Sequence, residues 1–190
     1  LIEVIGNDAT SFYTEVPGLL RLRKALAGRH PLSEYLNPGN VVITAGANHA
    51  MFSAFGLFFE SGDKVALIEP YYFNYDMGLK MMGMQPVYYR DDEGDFSLDA
   101  QKLIVWLSEN PVKGLVLITP NNPTGAVYAP EELEALLRYC ADNEIEVLLD
   151  ETYWRFNPAH LEGRDLGRFI DEGTLSLVGS FSKAYSLTGY

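Results

Sequence analysis

The sequence has little cysteine, little positive charge and no long apolar run, and each shortage excludes a class of protein. One cysteine among 190 residues, Cys140, rules out a disulfide within the chain, which fits a reducing cytoplasm. Lysine and arginine number 14 against 26 acidic residues, and the formal net charge of -12 leaves no basic surface for a nucleic acid. Charged residues or glycines interrupt every apolar run well before the about 20 residues that a membrane-spanning helix needs. We therefore expect a soluble, cytoplasmic protein with neither nucleic acid nor membrane as a partner.

The chain does have enough apolar content, 47% over 190 residues, to fill one core, so a single domain is expected. Its apolar runs alternate with helical patterns. The runs are nearly continuous rather than broken by polar residues, which is typical of strands that are covered on both faces. Six such strands are predicted, at residues 41–44, 64–69, 85–89, 114–119, 146–150 and 175–180.

Three helices are predicted between these strands. The best-marked helix begins near Pro130, places Cys140 on its apolar face and stops at Asn143, which is expected in a left-handed conformation. A second runs from about residue 48 to residue 60, and a third from about Ser97, its expected N-cap, to residue 108. Strands that alternate with helices predict right-handed crossovers, hence a three-layer α/β/α fold with a mostly parallel sheet.

Polar motifs follow four of the predicted strands. Because ligands of open parallel sheets bind outside the carboxyl ends of the strands, residues at these ends are expected to face one crevice. The four motifs, in chain order, are Gly46-Ala47-Asn48, Asn122-Pro123-Thr124-Gly125, Asp150-Glu151-Thr152-Tyr153 and Ser180-Phe181-Ser182-Lys183. Their common position predicts a site to which all four contribute.

The residue types in these motifs indicate their chemistry. Small residues around Gly46 lead into a helix N-terminus, whose free amides and dipole suit a phosphate, although an ordinary strand-to-helix turn has the same pattern. A carboxylate at Asp150, after a buried strand, is costly without a cation, unless it caps a following helix. An amine at Lys183 can lose its proton when desolvated and condense with a carbonyl as a Schiff base; the alternative is a surface lysine. The motif at Asn122 also has the composition of a plain turn.

Together and in this order, the motifs resemble the cofactor site of the class I and II aminotransferases, a fold type I family, and the resemblance extends over residues 13–190. It implies that pyridoxal 5′-phosphate is the cofactor. By the same resemblance, the amides of Ala47 and Asn48 hold the phosphate and Gly46 permits its close approach. Ser180 resembles a serine that binds the same phosphate.

The resemblance also assigns the contacts of the cofactor ring. Tyr72, two places after a proline, corresponds to the aromatic residue that stacks on the ring, with core packing as the alternative. Asn122 and Tyr153 correspond to the donors to the phenolic oxygen, and Asp150 to the carboxylate that keeps the ring nitrogen protonated. Lys183 corresponds to the lysine that forms the aldimine and then moves the proton between substrate Cα and cofactor C4′. The candidate catalytic residues are thus Asp150, Tyr153 and Lys183.

Near the start of the chain, Tyr13 lies five residues before Gly18-Leu19-Leu20-Arg21, which resembles the family's Y-x4-G-L-x-x-(L/F)-R pattern. In the family this tyrosine crosses a dimer interface to the phosphate of the partner subunit. The resemblance therefore implies a homodimer with shared active sites. Arg21 and Arg23 are interpreted as helix surface.

Residues 1–190 are interpreted as most of the large, cofactor-binding domain of a longer protein. The family's phosphate-clamping arginine would directly follow Tyr190. Part of the N-terminal arm and the C-terminal small domain, whose arginine grips the substrate carboxylate in the family, are expected to lie outside this chain. The main determinants of substrate choice lie there too, so the sequence identifies neither the amino acid nor the 2-oxo acid.

The resemblance implies transfer of an amino group from an amino acid to a 2-oxo acid through the Lys183 aldimine. Other fold type I enzymes, namely C–S lyases, cyclases and amino-acid oxidases, use the same cofactor site, because cofactor binding does not decide which bond breaks. A further alternative is the ligand-sensing domain of a transcription regulator, which would carry a basic winged-helix segment upstream. The acidic residues are scattered and are interpreted as solvated surface, so no metal is expected.

Overall fold

The computed structural model describes residues 13–91, 96–157 and 165–188, and its centre is a five-stranded sheet of parallel strands. The strands are β1 (Lys64–Ile68), β2 (Gln85–Tyr89), β3 (Gly114–Ile118), β4 (Glu146–Asp150) and β5 (Leu175–Val178). Their order across the sheet is β2-β1-β3-β4-β5. The predicted parallel α/β sheet is confirmed. Tyr190, the last residue of the family resemblance, lies outside the described residues.

Helices connect and flank these strands. The α-helices of the described residues are α1 (Leu20–Ala27), α2 (Ala47–Phe58), α3 (Phe73–Met81), α4 (Ala100–Glu109), α5 (Pro130–Asp142), α6 (Arg168–Asp171) and α7 (Phe181–Ala184). Short 3-10 turns occur at Pro38–Asn40, Trp154–Phe156 and Asp165–Gly167. Within the described ranges, none of the helices combines the length and the apolar character that crossing a membrane requires.

The chain reverses its direction of travel across the sheet after β2. From β1 it moves through α3 to the edge strand β2, and it returns through α4 to β3 on the other side of β1. Because βαβ crossovers are right-handed, opposite directions of travel put α3 on one face of the sheet and α4 and α5 on the other. The carboxyl ends of β1 and β3 therefore meet at a switch point, where ligands of such sheets bind.

Alternate residues of the strands fill two separate cores, one on each face of the sheet. Leu115 and Leu117 of β3 pack with buried residues of α4 and α5. Val116 and Ile118 of the same strand pack with buried residues of α2 and α3. A strand that buries both sets of side chains has no polar face, and this explains the continuous apolar runs and confirms the three-layer architecture.

Residues 41–44, predicted as a strand, form no strand in the structure. The Ile43 amide donates to the Pro17 carbonyl at 2.9 Å, so this segment contacts the N-terminal loop. Val42 is 66% exposed, so the run is not covered on both faces as the sheet strands are. A run of four residues, three of them apolar, has too few positions to separate a strand from an extended loop by pattern.

The predicted N-cap of α4 was wrong by two residues, whereas α5 stops at Asn143 as predicted but has its left-handed residue one position later. Helix α4 is capped by Asp99 rather than Ser97, because the Asp99 side chain accepts a hydrogen bond from the Lys102 amide at 3.0 Å. After α5, the left-handed residue is Glu144, with φ 55°, whereas Asn143 has φ -115°. Aspartate and serine cap helices about equally well, so composition alone did not choose between neighbouring candidates.

Helix α3 was not predicted, because Asn74 and Gly78 lower its intrinsic helix propensity. Packing explains why the helix forms. Gly78 lies against α2, where an added Cβ would come within 3.1 Å of the Phe55 ring and 3.2 Å of the Phe52 ring. The glycine therefore allows α2 and α3 to approach closely, and this contact outweighs the weak local preference.

Arg23, interpreted above as helix surface, is buried, with 7% exposure. Its Nε donates to the Gly18 carbonyl at 2.9 Å, and its guanidinium also donates to the Pro38 carbonyl and the Glu15 carboxylate. These acceptors lie on both sides of α1 in the sequence. Arg23 thus ties the loop before α1 to the turn after it, an interaction that only the fold reveals.

Candidate active site at the carboxyl edge of the sheet

The carboxyl ends of β3, β4 and β5 lie side by side. Asp150, the last residue of β4, is paired in register with Ile118 on one side and Val178 on the other. Backbone bonds continue this pairing past the strand ends, from the Thr119 amide to the Asp150 carbonyl at 3.1 Å and from the Glu151 amide to the Val178 carbonyl at 2.8 Å. Asp150 therefore occupies the middle of the edge at which three of the four predicted motifs emerge, whereas the Gly46 motif follows a segment that is not part of the sheet.

The Asp150 carboxylate is buried, with 5% of the residue exposed. Its Oδ2 accepts a hydrogen bond from the Tyr75 hydroxyl at 2.5 Å, and its Oδ1 accepts one from the Thr152 amide at 2.8 Å. Burial raises the pKa of the Asp150 carboxyl, while the hydrogen bonds from Tyr75 and Thr152 act in the opposite direction. In the described part of the chain, no lysine, arginine or histidine forms an ion pair with this carboxylate.

Tyr75 is a site residue that the sequence analysis missed. Burial raises its pKa, and the Asp150 charge adds to this effect, so the phenol stays protonated and donates. Its ring meets Tyr72 edge-on, with centroids 5.5 Å apart and planes at 78°. The spacing of three residues from Tyr72 is one helical turn, a signal that becomes readable only once α3 is known to be a helix.

Tyr72 is half-buried at the N-terminal end of α3, where its hydroxyl accepts a hydrogen bond from the Asn74 side chain at 2.9 Å. Tyr72, Tyr153 and Ala47 all pack against the same core, the one on the α2 and α3 face of the sheet. The structure thus brings together three residues that come from separate predicted motifs.

Gly46 and the N-terminus of α2 provide an open set of backbone amides. Gly46 has φ 84°, a conformation that only glycine adopts without strain, and an added Cβ there would meet nothing within 4 Å. Ala47 and Asn48 follow as the first residues of this 12-residue helix, and Asn48 is exposed. The first amides of a helix lack partners within it and carry the positive end of its dipole, so this terminus suits a phosphate.

The loop that carries Asn122 is held by its neighbour Asn121, a role that the sequence analysis did not assign. The Asn121 side chain is buried and accepts hydrogen bonds from the Thr124 amide at 3.2 Å and the Thr124 hydroxyl at 3.0 Å. The Gly125 amide, in a left-handed conformation with φ 75°, donates back to the Asn121 carbonyl at 2.8 Å. Asn122 is half-buried in this closed loop.

Ser180 and Lys183 lie beyond β5 on the one-turn helix α7. Ser180 is its N-cap, and the Ser180 hydroxyl accepts from the Ser182 amide at 3.1 Å. Lys183 is exposed and not desolvated as expected from the sequence, because the described residues bury no residue of α7. Tyr13 is also fully exposed, and the structure does not bring it to the site within this chain.

This set of residues fits pyridoxal 5′-phosphate. Within the described residues the buried Asp150 carboxylate has no cationic partner, which matches a protonated ring nitrogen, and the open amides at the N-terminus of α2 match a phosphate. The exposed Lys183 amine is accessible to a carbonyl. Among the described residues, no group of three or more histidine, cysteine, aspartate and glutamate side chains could hold a metal ion.

Comparison with known proteins yields consistent matches. The family described as aminotransferase class I and II matches residues 4–190. The chain is 33% identical to the probable aspartate/prephenate aminotransferase of Aquifex aeolicus, over 97% of this chain and 48% of that protein. It is 34% identical to the aspartate aminotransferase of Sulfolobus acidocaldarius, over 94% of this chain and 46% of that protein.

Solved structures agree with these matches. The N-succinyldiaminopimelate aminotransferase from Mycobacterium tuberculosis superposes with a TM-score of 0.80 at 29% identity, over 96% of this chain and 50% of that one. The chain therefore spans about half the length of the relatives that it matches.

Proposed function

This chain belongs to the aminotransferase class I and II family, and on that premise we propose that the full-length protein transfers an amino group from an amino acid to a 2-oxo acid with pyridoxal 5′-phosphate as cofactor. The observation that carries the proposal is Asp150, a carboxylate buried at a ligand-binding sheet edge and left without a cationic partner in the described residues. The names of the relatives, all aminotransferases, favour transamination over elimination, cyclisation or oxidation.

The residues of this chain would divide the work as follows. When bound, pyridoxal phosphate supplies an electron sink for the bond that breaks at the substrate Cα. Asp150 holds a proton on the ring nitrogen, and Tyr75 keeps the carboxylate oriented by its hydrogen bond. The Lys183 amine would hold the cofactor and, when released from it, would act as the base that takes and returns the proton of the substrate Cα.

The remaining residues bind and orient. The amides of Ala47 and Asn48, together with the Ser180 hydroxyl, would hold the phosphate at the positive end of α2. Asn122 and Tyr153 would donate to the phenolic oxygen, and Tyr72 would stack on the ring. These assignments rest on the resemblance, on the position of the other residues after strands of one sheet edge, and on the packing of Ala47 against the same core as Tyr72 and Tyr153.

We also propose a homodimer with shared active sites, in which residues 1–190 form most of the cofactor-binding domain. Helix α2 contains no lysine, arginine, aspartate or glutamate in 12 residues, and with α3 it forms an exposed apolar surface, the α2–α3 face. The exposed apolar side chains of the two helices are Phe52, Leu57 and Phe58 on α2 and Phe73, Met77 and Met81 on α3. A groove of about 230 Å³ between the two helices is lined in part by Phe52, Met77 and Met81 and reaches Asn48 at the proposed phosphate site. A second copy of the chain bound to this face would lie beside the proposed phosphate site. Its Tyr13 could then contact the phosphate bound by the first copy.

The dimer is tested on the full-length protein by analytical ultracentrifugation. A charge within the α2–α3 face, Leu57→Glu, is expected to produce monomers and weaken cofactor binding, because burying an unpaired charge is costly. Val105→Glu is the matched control, since Val105 is an exposed apolar residue on α4, on the other face of the sheet. An unchanged dimer in the Leu57 variant would overturn this interface. We place the enzyme in the cytoplasm, and cell fractionation tests that location.

The activity is tested by incubating the full-length protein and cofactor with candidate amino acids, without any 2-oxo acid. Transamination predicts that the cofactor takes up the amino group in a single half-reaction and accumulates as the pyridoxamine form. Release of ammonia, a thiol or peroxide instead would replace the proposal with a lyase or oxidase. Binding of amino acids without any turnover would favour a ligand-sensing domain.

The cofactor lysine is tested by borohydride reduction followed by peptide mapping. The label is expected on Lys183. A label on Lys64, Lys80 or another lysine would contradict the assignment of Lys183 as the cofactor lysine.

A further inference from the structure

The guanidinium of Arg155 lies between two aromatic rings that belong to different parts of the candidate site. Its central carbon is 4.7 Å from the centroid of the Trp154 ring and 4.9 Å from that of the Tyr185 ring. Both distances are within the about 6 Å over which a cation and a ring attract each other. Arg155 is two residues from Tyr153, and Tyr185 is two residues from Lys183. The stack therefore connects the loop after β4 to the segment that carries the lysine.

The Trp154 side of the stack is firmly anchored. Trp154 packs against the core on the α4 and α5 face, and its ring lies 5.4 Å from that of His30. His30 Nδ1 accepts from the Leu32 amide at 3.1 Å, so the ring proton is on Nε2, which is 2.9 Å from both oxygens of Glu151. The His30 and Glu151 side chains are only 8% and 6% exposed. A buried pair thus fixes the loop directly beside Asp150.

The α7 side has little support of its own. The helix is four residues long, and an isolated helix of one turn is unstable in water. Its local support is the Ser180 cap, the bond from the Tyr185 amide to the Phe181 carbonyl at 3.0 Å, the Phe181 and Tyr185 rings with centroids 5.7 Å apart, and a bond from the Thr188 hydroxyl to the Ser182 carbonyl at 3.3 Å. Lateral contacts must therefore decide where α7 lies, and the Arg155 stack is one that reaches it from the β4 loop.

We propose that Arg155 is a positioning residue: stacked between Trp154 and Tyr185, it holds α7 against the β4 loop and thereby sets the effective concentration of the Lys183 amine at the cofactor. The inference rests on the proposed function, because it assumes that Lys183 binds the cofactor covalently. A lysine held in place competes better with a free amine for the same carbonyl, by the general advantage of intramolecular reactants.

The experiment measures that competition directly in the full-length holoenzyme. The protein is equilibrated with increasing methylamine and then treated with borohydride, which fixes the cofactor to whichever amine holds it. The methylamine concentration that removes half of the cofactor from the protein reports the effective concentration of Lys183. Arg155→Met keeps a similar apolar stem without the charged plane, and we expect the half-displacement concentration to fall about three- to fivefold.

Further variants separate the stack from general effects on folding. Tyr185→Phe keeps the ring and should behave as wild type, whereas Tyr185→Leu should behave as Arg155→Met. The double variant Arg155→Met, Tyr185→Leu should show little additional fall, because both changes remove one interaction. Arg155→Lys keeps the charge without the planar stacking group and should be intermediate. The matched control is Arg138→Met, because Arg138 is an exposed arginine that pairs with Glu134 on α5.

The outcomes separate this inference from the proposed function. If Arg155→Met and Arg138→Met give the same half-displacement concentration, Arg155 does not position Lys183. A lower melting temperature with an unchanged half-displacement concentration would also overturn the proposal, since it would make the role purely structural. If wild-type protein carries no borohydride-fixed cofactor on Lys183 even without methylamine, the proposed function itself fails.

Discussion

Asp150 and Lys183, the two groups on which the proposed chemistry depends, are held in opposite ways. Asp150 ends a central strand, is 5% exposed and accepts hydrogen bonds from Tyr75 and the Thr152 amide. Lys183 is exposed on a helix of four residues. In the proposed chemistry the Asp150 carboxylate would have one constant task, to hold a proton on the cofactor ring, and a preorganised group performs such a task best. In the proposed chemistry Lys183 would hold the cofactor, release it and carry a proton, and a less tightly packed segment permits these changes.

The largest effect is expected at the loosely held group. Lys183→Ala should reduce turnover by about a thousandfold or more, because one amine supplies both the covalent attachment and the proton transfer. Steady-state kinetics of the full-length enzyme would check this. Lys80→Ala is the control, since Lys80 is an exposed lysine that pairs with Asp76 on α3. A Lys183 variant that retained a tenth of the wild-type activity would contradict the role proposed for this lysine.

The rigid group is expected to have the next largest effect. Asp150→Asn should retain part of the cofactor binding and lose about a hundredfold or more in turnover, because an amide cannot hold the ring nitrogen protonated. The measurement is the rate of the half-reaction at saturating amino acid. Near-normal rates would refute the role given to the carboxylate.

In the apoprotein, the same substitution is expected to stabilise the fold at neutral pH. Burial raises the pKa of Asp150 above its ordinary value of 3.8, so the folded state binds the proton more tightly than the unfolded state. The contribution of Asp150 to the free energy of unfolding of wild type is therefore largest at low pH. It falls as the pH rises through the ordinary pKa toward the raised pKa. In urea unfolding of the apoprotein, the free energy of unfolding of Asp150→Asn should exceed that of wild type at pH 7. The difference should shrink toward about pH 4. A less stable variant at pH 7 would mean that the site tolerates the charge.

A substitution at Tyr75, which donates a hydrogen bond to Asp150, is expected to have a smaller effect. Tyr75→Phe removes a hydrogen bond to a buried carboxylate, which should lower turnover by roughly tenfold or more. Tyr71→Phe is the matched control, because Tyr71 is a half-buried tyrosine that stacks on Tyr88, with centroids 5.6 Å apart. Equal kinetics for the two variants would show that the Tyr75 bond does not orient Asp150.

The smallest effect is expected at the start of α7. Ser180→Ala removes the N-cap and a proposed phosphate ligand, so cofactor affinity should fall about fivefold, from a cap worth about 1 kcal/mol. Ser182→Ala removes a hydroxyl from the same turn but leaves that cap in place, and it should stay within about twofold of wild type. Fluorescence titration of apoprotein with pyridoxal phosphate compares them, and equal losses would contradict the special role of Ser180.

Much of the fold was predictable because it depends on local patterns. Strands β2 and β4 have the predicted bounds, since their runs are apolar and end at charged or turn residues. Helix α3 was missed because its stability comes from the contact of Gly78 with α2. The segment 41–44 looked like a strand because its composition matches one, although the segment forms no strand in the structure.

The sequence by itself determined the family, the parallel α/β class and the position of four polar motifs at the ends of their apolar runs, because each depends on residues that are neighbours in the chain. Only the tertiary structure decided which side chains meet across long separations. Tyr75 reaches Asp150 over 75 positions, and His30 reaches Glu151 over 121. Such contacts require the strand order and the packing of helices on both faces of the sheet, and no local pattern encodes either. The same holds for Arg155, which looks like an ordinary surface arginine until the fold places Tyr185 beside it.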